Sequence, residues 1–162
     1  MNIVGLITEY NPFHNGHLYH IQEAKRVTGA DAAVVIMSGN FVQRGTPAIM
    51  PKHLRVKAAL LSGADLVLEL PVCFATGSAE FFSMGSVALL DSLGCIDSIC
   101  FGSECGDSKT LGKIARILAE EPGDYKNVLQ DALRKGVSFP QARQTALTQY
   151  FDMPSTDPDR IS

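Results

Sequence analysis

The sequence has no tryptophan, and only 19% of its 162 residues are charged. A net charge of −3 gives the chain no overall electrostatic footprint for nucleic acid, so an RNA contact would need a local basic patch or a further segment. No apolar run approaches the roughly 20 residues of a membrane-spanning helix. The N-terminus also lacks a charged region ahead of its first apolar stretch. A cytosolic protein without a membrane partner is the expectation. Cysteine is sparse, at positions 73, 95, 100 and 105 with no C-x-x-C pair. That spacing excludes the common zinc patterns and points to reduced structural thiols, with Cys105 in a loop and given no role. Internal repeats and low-complexity segments are absent too. What is there is globular: 46% hydrophobic residues in a chain long enough to bury a core.

The stretch from Gly5 to His17, GLITEYNPFHNGH, organises the rest. Ile3 to Ile7 reads as a buried strand, and Asn11-Pro12 then breaks it, because proline fixes its own φ and pushes the preceding residue out of the α region. A helix pattern follows, with Leu18, Ile21, Lys25 and Thr28 on one stripe and Gly29 as the stop. His14 and His17 therefore fall where a loop meets a helix N-terminus, beside unpaired backbone N–H groups and the positive end of the helix dipole. Such a terminus is a phosphate site. Gly16 between them would let a ligand approach the backbone. Two histidines at a helix start also describe a plain solvated terminus; the strand and N-P-F turn ahead of them favour the functional reading.

Ala32 to Met37 is a second apolar run, short enough for a strand buried on both faces, and it ends in Ser38-Gly39-Asn40. In parallel sheets that edge binds ligands, although an ordinary βα loop has the same composition. Pro51 opens a helix running towards Ser62, with Leu54, Ala58 and Leu61 as its expected apolar stripe. Lys52, Arg55 and Lys57 are read as its solvated face. Leu66 to Leu70 is a third strand, stopped by Pro71, with Glu69 near enough its end to reach water. Ser78 caps a helix carrying Phe81, Phe82, Val87, Ala88 and Leu89, closed by Gly94. Ile96 to Phe101 supplies a fourth strand, followed by Gly102-Ser103-Glu104.

Three helices without a strand come next. One starts at Ser108 or Asp107 and carries Leu111, Ile114 and Leu118. The second starts at Asp124, carries Val128, Leu129, Ala132 and Leu133, and stops at Gly136. A third opens on a capping box at Ser138-x-x-Gln141, with Leu147 and Tyr150 inward. Successive βα units imply a parallel sheet. The expected fold is α/β: a Rossmann-like parallel sheet of about four strands with flanking helices and a C-terminal helical extension. Its parts are a nucleotide-binding domain over 1–106, a helical extension packed on it over 107–152, and a frayed tail over 153–162.

The N-P-F-H-N-G-H motif after the first strand resembles the H-x-G-H nucleotidylyl transferase superfamily. Further blocks narrow the likeness: M-S-G-N-F-V-Q-R-G-T-P-A, G-A-D-L-V-L-E-L-P, F-G-S-E and S-F-P-Q-A-R. Together they resemble the tRNA(Met) cytidine acetate ligase family over residues 5–143. The resemblance implies an enzyme that activates acetate with ATP to acetyl-adenylate, releasing pyrophosphate, and then acetylates N4 of the wobble cytidine of elongator tRNA(Met). Such a ligase is a tRNA-modifying, RNA-binding protein of the cytoplasm. It implies an ATP site made of Ile7, Thr8, Glu9, Tyr10, Asn11, Pro12, Phe13, His14, Asn15, Gly16, His17, Leu18, Tyr19 and His20, with Gly102 at the nucleotide. It also implies that tRNA binding and part of the ATP site require a C-terminal region beyond Ser162.

Attack of a carboxylate on the α-phosphorus needs no proton removed, because acetate is already ionised near neutral pH. His14 and His17, the candidate catalytic pair, are therefore assigned to phosphate and transition-state binding rather than to general-base work. Ser38, Gly39 and Asn40 are candidates for the acetyl or ribose side of the pocket. His20, one turn beyond His17, faces the same pocket or is a core or surface histidine. Mg²⁺ is expected with ATP, held through phosphates and water, since no carboxylate cluster is assigned as metal ligands. Two rivals remain. A small-molecule adenylyltransferase would want a second phosphate motif, of which Ser138-Phe-Pro-Gln-Ala-Arg143 is a poor version. A nucleotide-binding module would lack catalysis without its C-terminal region.

Overall fold

The computed structural model describes residues 1–103 and 106–152. Glu104, Cys105 and the tail expected over 153–162 lie outside the described residues. The chain divides into two compact units, Met1–Gly102 and a second beginning at Ser103.

In the first unit, β1 (Ile3–Thr8), β2 (Ala32–Ser38), β3 (Leu66–Leu70) and β4 (Ser98–Ile99) form one sheet in the order β3-β2-β1-β4. All its pairings are parallel. Side chains alternate across the pleat, so β1 and β2 feed two cores at once. Val4, Leu6, Ala33, Val35 and Met37 pack with Ile21 and Ala24 of α1 (Asn15–Thr28) and Ala59 of α2 (Lys52–Leu61). Ile3, Val34 and Ile36 face the other way, onto α3 (Val72–Ala75) and α4 (Ala79–Ser92) through Ala75, Phe82 and Leu90. The result is a three-layer α/β sandwich of Rossmann-like type.

An aspartate precedes each of the later strands and serves the amino edge of the sheet. Asp31 accepts from the Asn2 N–H at 2.7 Å, Asp65 from the Ala33 N–H at 2.8 Å, and Asp97 from the Ile3 N–H at 2.7 Å. Asp65 also holds Lys25 at 2.6 Å, which with the Ala33 N–H keeps its carboxyl below the usual carboxylate range.

Several elements match the pattern residue for residue, including β3, the Ser78 cap of α4, and Gly29 in the left-handed conformation closing α1. Three expectations are corrected. The buried face of α2 is Arg55 and Ala59, while Leu54 and Leu61 are 51% and 78% exposed. The fourth strand shrinks to Ser98–Ile99, because Ile96 is drawn to the α4 core and Cys100 to the α1 core, leaving Phe101 exposed. On α4 the buried residues are Phe82, Gly85, Ser86 and Leu90, so Phe81 and Val87 face outward. The short helix α3 was not anticipated; four residues are too few to show a helical period.

The second unit holds α5 (Ser108–Glu120), α6 (Gly123–Arg134) and α7 (Phe139–Asp152). Its core is Ile117, Tyr125, Leu129, Ala142 and Ala146, with Leu147 and Tyr150 packed against it. Asp107 caps α5 by accepting from the Lys109 and Thr110 N–H groups. At the start of α7 the expected box is a side-chain pair, Ser138 Oγ donating to Gln141 Oε1 at 3.0 Å.

Gly85 is where α4 meets α3, and a Cβ there would overlap the Phe74 ring. Gly85→Ala gains about 1 kcal/mol of helix propensity but overpacks this contact, which typically costs about 1–3 kcal/mol. The expected outcome is a lower thermal midpoint by circular dichroism. A raised midpoint would show that Phe74 swings aside freely.

Candidate functional site

Parallel strands deliver all their strand-to-helix loops to one edge. The chain steps outward from β1 to β2 to β3 and then returns to place β4 on the other side of β1. A reversal of that kind opens a crevice beside β1 at the carboxyl edge, where open α/β sheets take ligands.

The H-x-G-H segment lies at that crevice. Tyr10, just past β1, has φ +50°, and the Asn11–Pro12 peptide is cis. His14 is the N-cap of α1 in extended conformation, and its Nδ1 accepts the Gly16 N–H at 3.1 Å. His17 reaches back so that its own Nδ1 accepts the His14 N–H at 3.3 Å. This is a capping box built from two imidazoles, whose rings stack with centroids 3.7 Å apart. Because each Nδ1 is an acceptor, each neutral ring carries its proton on Nε2. The box thus assigns both tautomers and turns two Nε2–H donors away from the helix.

This geometry changes two details of the expectation. Backbone N–H groups of His14 and Gly16, read as free for phosphate, are already taken by the imidazoles. Gly16, read as room for a ligand, is first of all room for His14, since a Cβ there would stand 2.9 Å from the ring.

The remaining candidates distribute as follows. Ile7 faces the α4 core, whereas Tyr10 and Phe13 belong to the α1 side. Thr8 is buried at the end of β1. The Tyr10 ring stands edge-on to Phe13 and to His17, each at 4.8 Å. Burial pushes its hydroxyl up to about 12. Glu9 Oε1 accepts the Gln43 N–H at 2.8 Å, and Asn11 Oδ1 accepts the Ile49 N–H at 2.8 Å, which fastens the loop after β2 to the loop after β1. Pro12 and Asn15 are exposed, Leu18 is half-buried, and Tyr19, 65% exposed, faces solvent. His20 is half-buried, and Gly102 is exposed just beyond β4. Ser38 and Gly39 are buried at the end of β2, while the Asn40 side chain caps α2 by accepting the Lys52 N–H at 3.2 Å.

Four buried side-chain atoms among the described residues lack a hydrogen-bond partner: Tyr10 Oη, His20 Nε2, Ser38 Oγ and Ser98 Oγ. Buried polar atoms normally find partners, and the first three belong to the set picked out from the sequence. Unmatched polar capacity is therefore concentrated at the carboxyl edge. His17 and His20 are also both held below the ordinary imidazole value. For His17 the causes are burial and then the charges of His14 and His20; for His20 burial acts against the Cys100 carbonyl, which raises it.

The residue that the sequence reading missed is Arg55. It is 1% exposed, and its guanidinium donates to the carbonyls of Glu9 (2.6 Å), Ser38 (3.2 Å), Met50 (3.1 Å) and Gly39. Burial lowers its pKa, and the charges of Glu9 and Glu69 work against that shift. Glu69 in turn holds Lys52 at 2.5 Å. Helical spacing could not reveal this, because Arg55 and Ala59 share an i, i+4 relation as good as that of Leu54 and Ala58.

A family model described as HIGH nucleotidyl transferase matches residues 1–161. The chain belongs to that family. Within it, the chain is 57% identical to the tRNA(Met) cytidine acetate ligase of Acetivibrio thermocellus over 150 residues, 93% of this chain and 36% of that protein. Identity to the ligase of Clostridium novyi is also 57%, over 94% of this chain and 38% of that one. The crystal structure of Thermotoga maritima TmcAL bound with alpha-thio ATP superposes with a TM-score of 0.90 at 49% identity, covering 94% of this chain and 37% of that one. The chain thus spans a little over a third of the length of these relatives. Among the described residues, no three or more His, Cys, Asp or Glu side chains group as a metal site, and no helix is long and apolar enough to cross a membrane.

The two lowered imidazoles set a sign for pH dependence. Unfolded histidine titrates near 6.5, above the folded value, so the unfolded state takes up protons first as pH falls. Their stabilising contribution is complete above about pH 6.5 and is lost on acidification through the folded values. Thermal melts between about pH 7.5 and 5.5 should show a falling midpoint, and His20→Gln should flatten that slope. An equal slope in the variant would remove His20 from the account.

Proposed function

We propose that this chain is the ATP-binding, acetate-activating part of a tRNA(Met) cytidine acetate ligase. The observation that carries the reading is the interlocked His14–His17 capping box, which offers two Nε2–H donors at the start of α1 beside the β1–β4 crevice. The alpha-thio ATP bound by the Thermotoga relative supports ATP as the ligand, and the names of the curated relatives support the reaction class.

In this reading the loop from Ile7 to His20 holds the nucleotide, with Gly102 at its far side. An acetate oxygen attacks the α-phosphorus, the α–β phosphoanhydride bond breaks, and pyrophosphate leaves with the electron pair. No proton moves in that step, so His14 and His17 act by donating hydrogen bonds to phosphate oxygens as charge shifts towards the leaving group. The lowered basicity of His17 suits a donor that is to remain neutral until an anion arrives. Ser38 and Tyr10, with unmatched hydroxyls, line the acetyl or ribose side. Mg²⁺ would enter with ATP, carried by phosphates and water and helping to neutralise them. Attack of N4 of the wobble cytidine of elongator tRNA(Met) on the acetyl carbon, with AMP leaving and the amine giving up a proton to solvent, completes the cycle, with the tRNA surface residing largely in the further length that the relatives possess. A cytoplasmic setting follows from a tRNA substrate.

Calorimetry should detect ATP binding to residues 1–162, weakened about tenfold or more in His17→Ala. Unchanged affinity in the variant would move the phosphate site elsewhere. Acetate-dependent exchange of labelled pyrophosphate into ATP then separates the alternatives. Exchange assigns a complete adenylation site to this chain, whereas ATP binding without exchange assigns it the nucleotide half alone. Condensation of ATP with a phosphorylated acceptor would favour a small-molecule adenylyltransferase instead.

A further inference from the structure

We propose that Arg55 is the positioning residue of the nucleotide site, locking the loops after β1 and β2 into one rigid rim on which ATP binding depends. This rests on the ATP-binding reading above. Four of the five guanidinium N–H groups have a carbonyl acceptor, and those carbonyls come from three segments: Glu9 after β1, Ser38 and Gly39 ending β2, and Met50 leading into α2. Among the described residues no carboxylate contacts the guanidinium directly, and its hydrogen bonds go to backbone carbonyls.

A continuous set of contacts leads from that guanidinium to the imidazoles. Its Nη1 fixes the Glu9 carbonyl, and so the peptide that enters Tyr10. Tyr10 is held at φ +50°, a conformation that non-glycine residues avoid unless their surroundings impose it. That turn buries the Tyr10 ring against His17, and His17 closes the capping box on His14. The second loop is fastened from the same side, through Glu9 to Gln43, Asn11 to Ile49, and Arg55 to Met50. An apolar residue here would avoid the desolvation of a buried charge but would leave these carbonyls without a donor, so the two loops depend on one guanidinium. Lysine keeps the charge but gathers three donors on one nitrogen, without the planar fork whose Nε, Nη1 and Nη2 reach four carbonyls here.

The test compares wild type, Arg55→Lys and Arg55→Gly, first for folding by circular dichroism and then for ATP affinity by calorimetry. Arg55→Lys should fold and bind ATP about tenfold or more weakly, since small misplacements of a site cost affinity steeply. The ¹⁵N shifts of His17 should move with it, reporting disruption of the Nδ1-accepting tautomer. Millimolar guanidinium chloride should restore ATP affinity to Arg55→Gly by refilling the vacated fork site. Wild-type affinity in folded Arg55→Lys would overturn the proposal. So would weakened affinity without guanidinium rescue, or failure of both variants to fold, either of which assigns Arg55 to the fold alone. A wild-type chain that binds no ATP would sink the functional reading itself, and the wild-type titration shows that separately.

Discussion

A parallel sheet is polar along its length: strand starts leave N–H groups without partners, and strand ends leave carbonyls. This chain answers the two edges with opposite charges. At the amino edge, Asp31, Asp65 and Asp97 each accept an N–H group from a neighbouring strand or its lead-in. At the carboxyl edge one guanidinium takes up the carbonyls of Glu9, Ser38 and Gly39 together. An unmatched buried carbonyl costs about 1–3 kcal/mol, so the edge where ligand loops must spread apart is also the edge that most needs a donor. Placing that donor on α2, as Arg55, lets the loops diverge without leaving their backbone orphaned.

The start of α1 meets a similar demand by a different route. Helix termini normally spend Ser, Thr or Asp on capping, and here two histidines do it instead. The consequence is chemical as well as structural. A serine cap would leave the terminus with backbone donors and a helix dipole. Histidine caps consume part of the backbone capacity and replace it with Nε2–H donors farther out, on rings already stacked and held by Tyr10 and Phe13. Burial and the influence of His14 and His20 bias His17 towards the neutral form, which keeps its Nε2–H as a donor.

Much of this was legible in the sequence because it is local. The continuous apolar run Ile3 to Ile7, the proline-glycine punctuation around β3, and the helix stops at Gly29 and Gly94 depend on residues next to one another. The H-x-G-H segment is local too, and both its place at the helix start and its role as a candidate site could be read in advance. What escaped depends on neighbours distant in sequence. Arg55 lies inward because carbonyls from residues 9, 38 and 39 await it, not because of anything within α2. β4 is short because Ile96 and Cys100 are claimed by opposite cores, so an apolar run that looks like strand is divided between packing and pairing. The histidine capping box was hidden by convention, since the usual signature names Ser or Thr followed by Glu or Gln.

The candidate site also lies wholly within Met1–Gly102, a unit with its own two cores on either face of the sheet. Every residue from Ile7 to His20, the end of β2, Arg55 and Gly102 belong to it. The helical unit that follows has a core of its own and, among the described residues, contributes none of the unmatched buried atoms. The proposed nucleotide site would thus rest on a unit with cores of its own on both faces of the sheet. Recognition of a large polyanion is a different problem, because it needs positive charge over a wide surface, and a net charge of −3 gives no overall excess of it. On the proposed reading, activating a small acid would be the task of the crevice, and presenting it to an RNA a separate task of surface and charge.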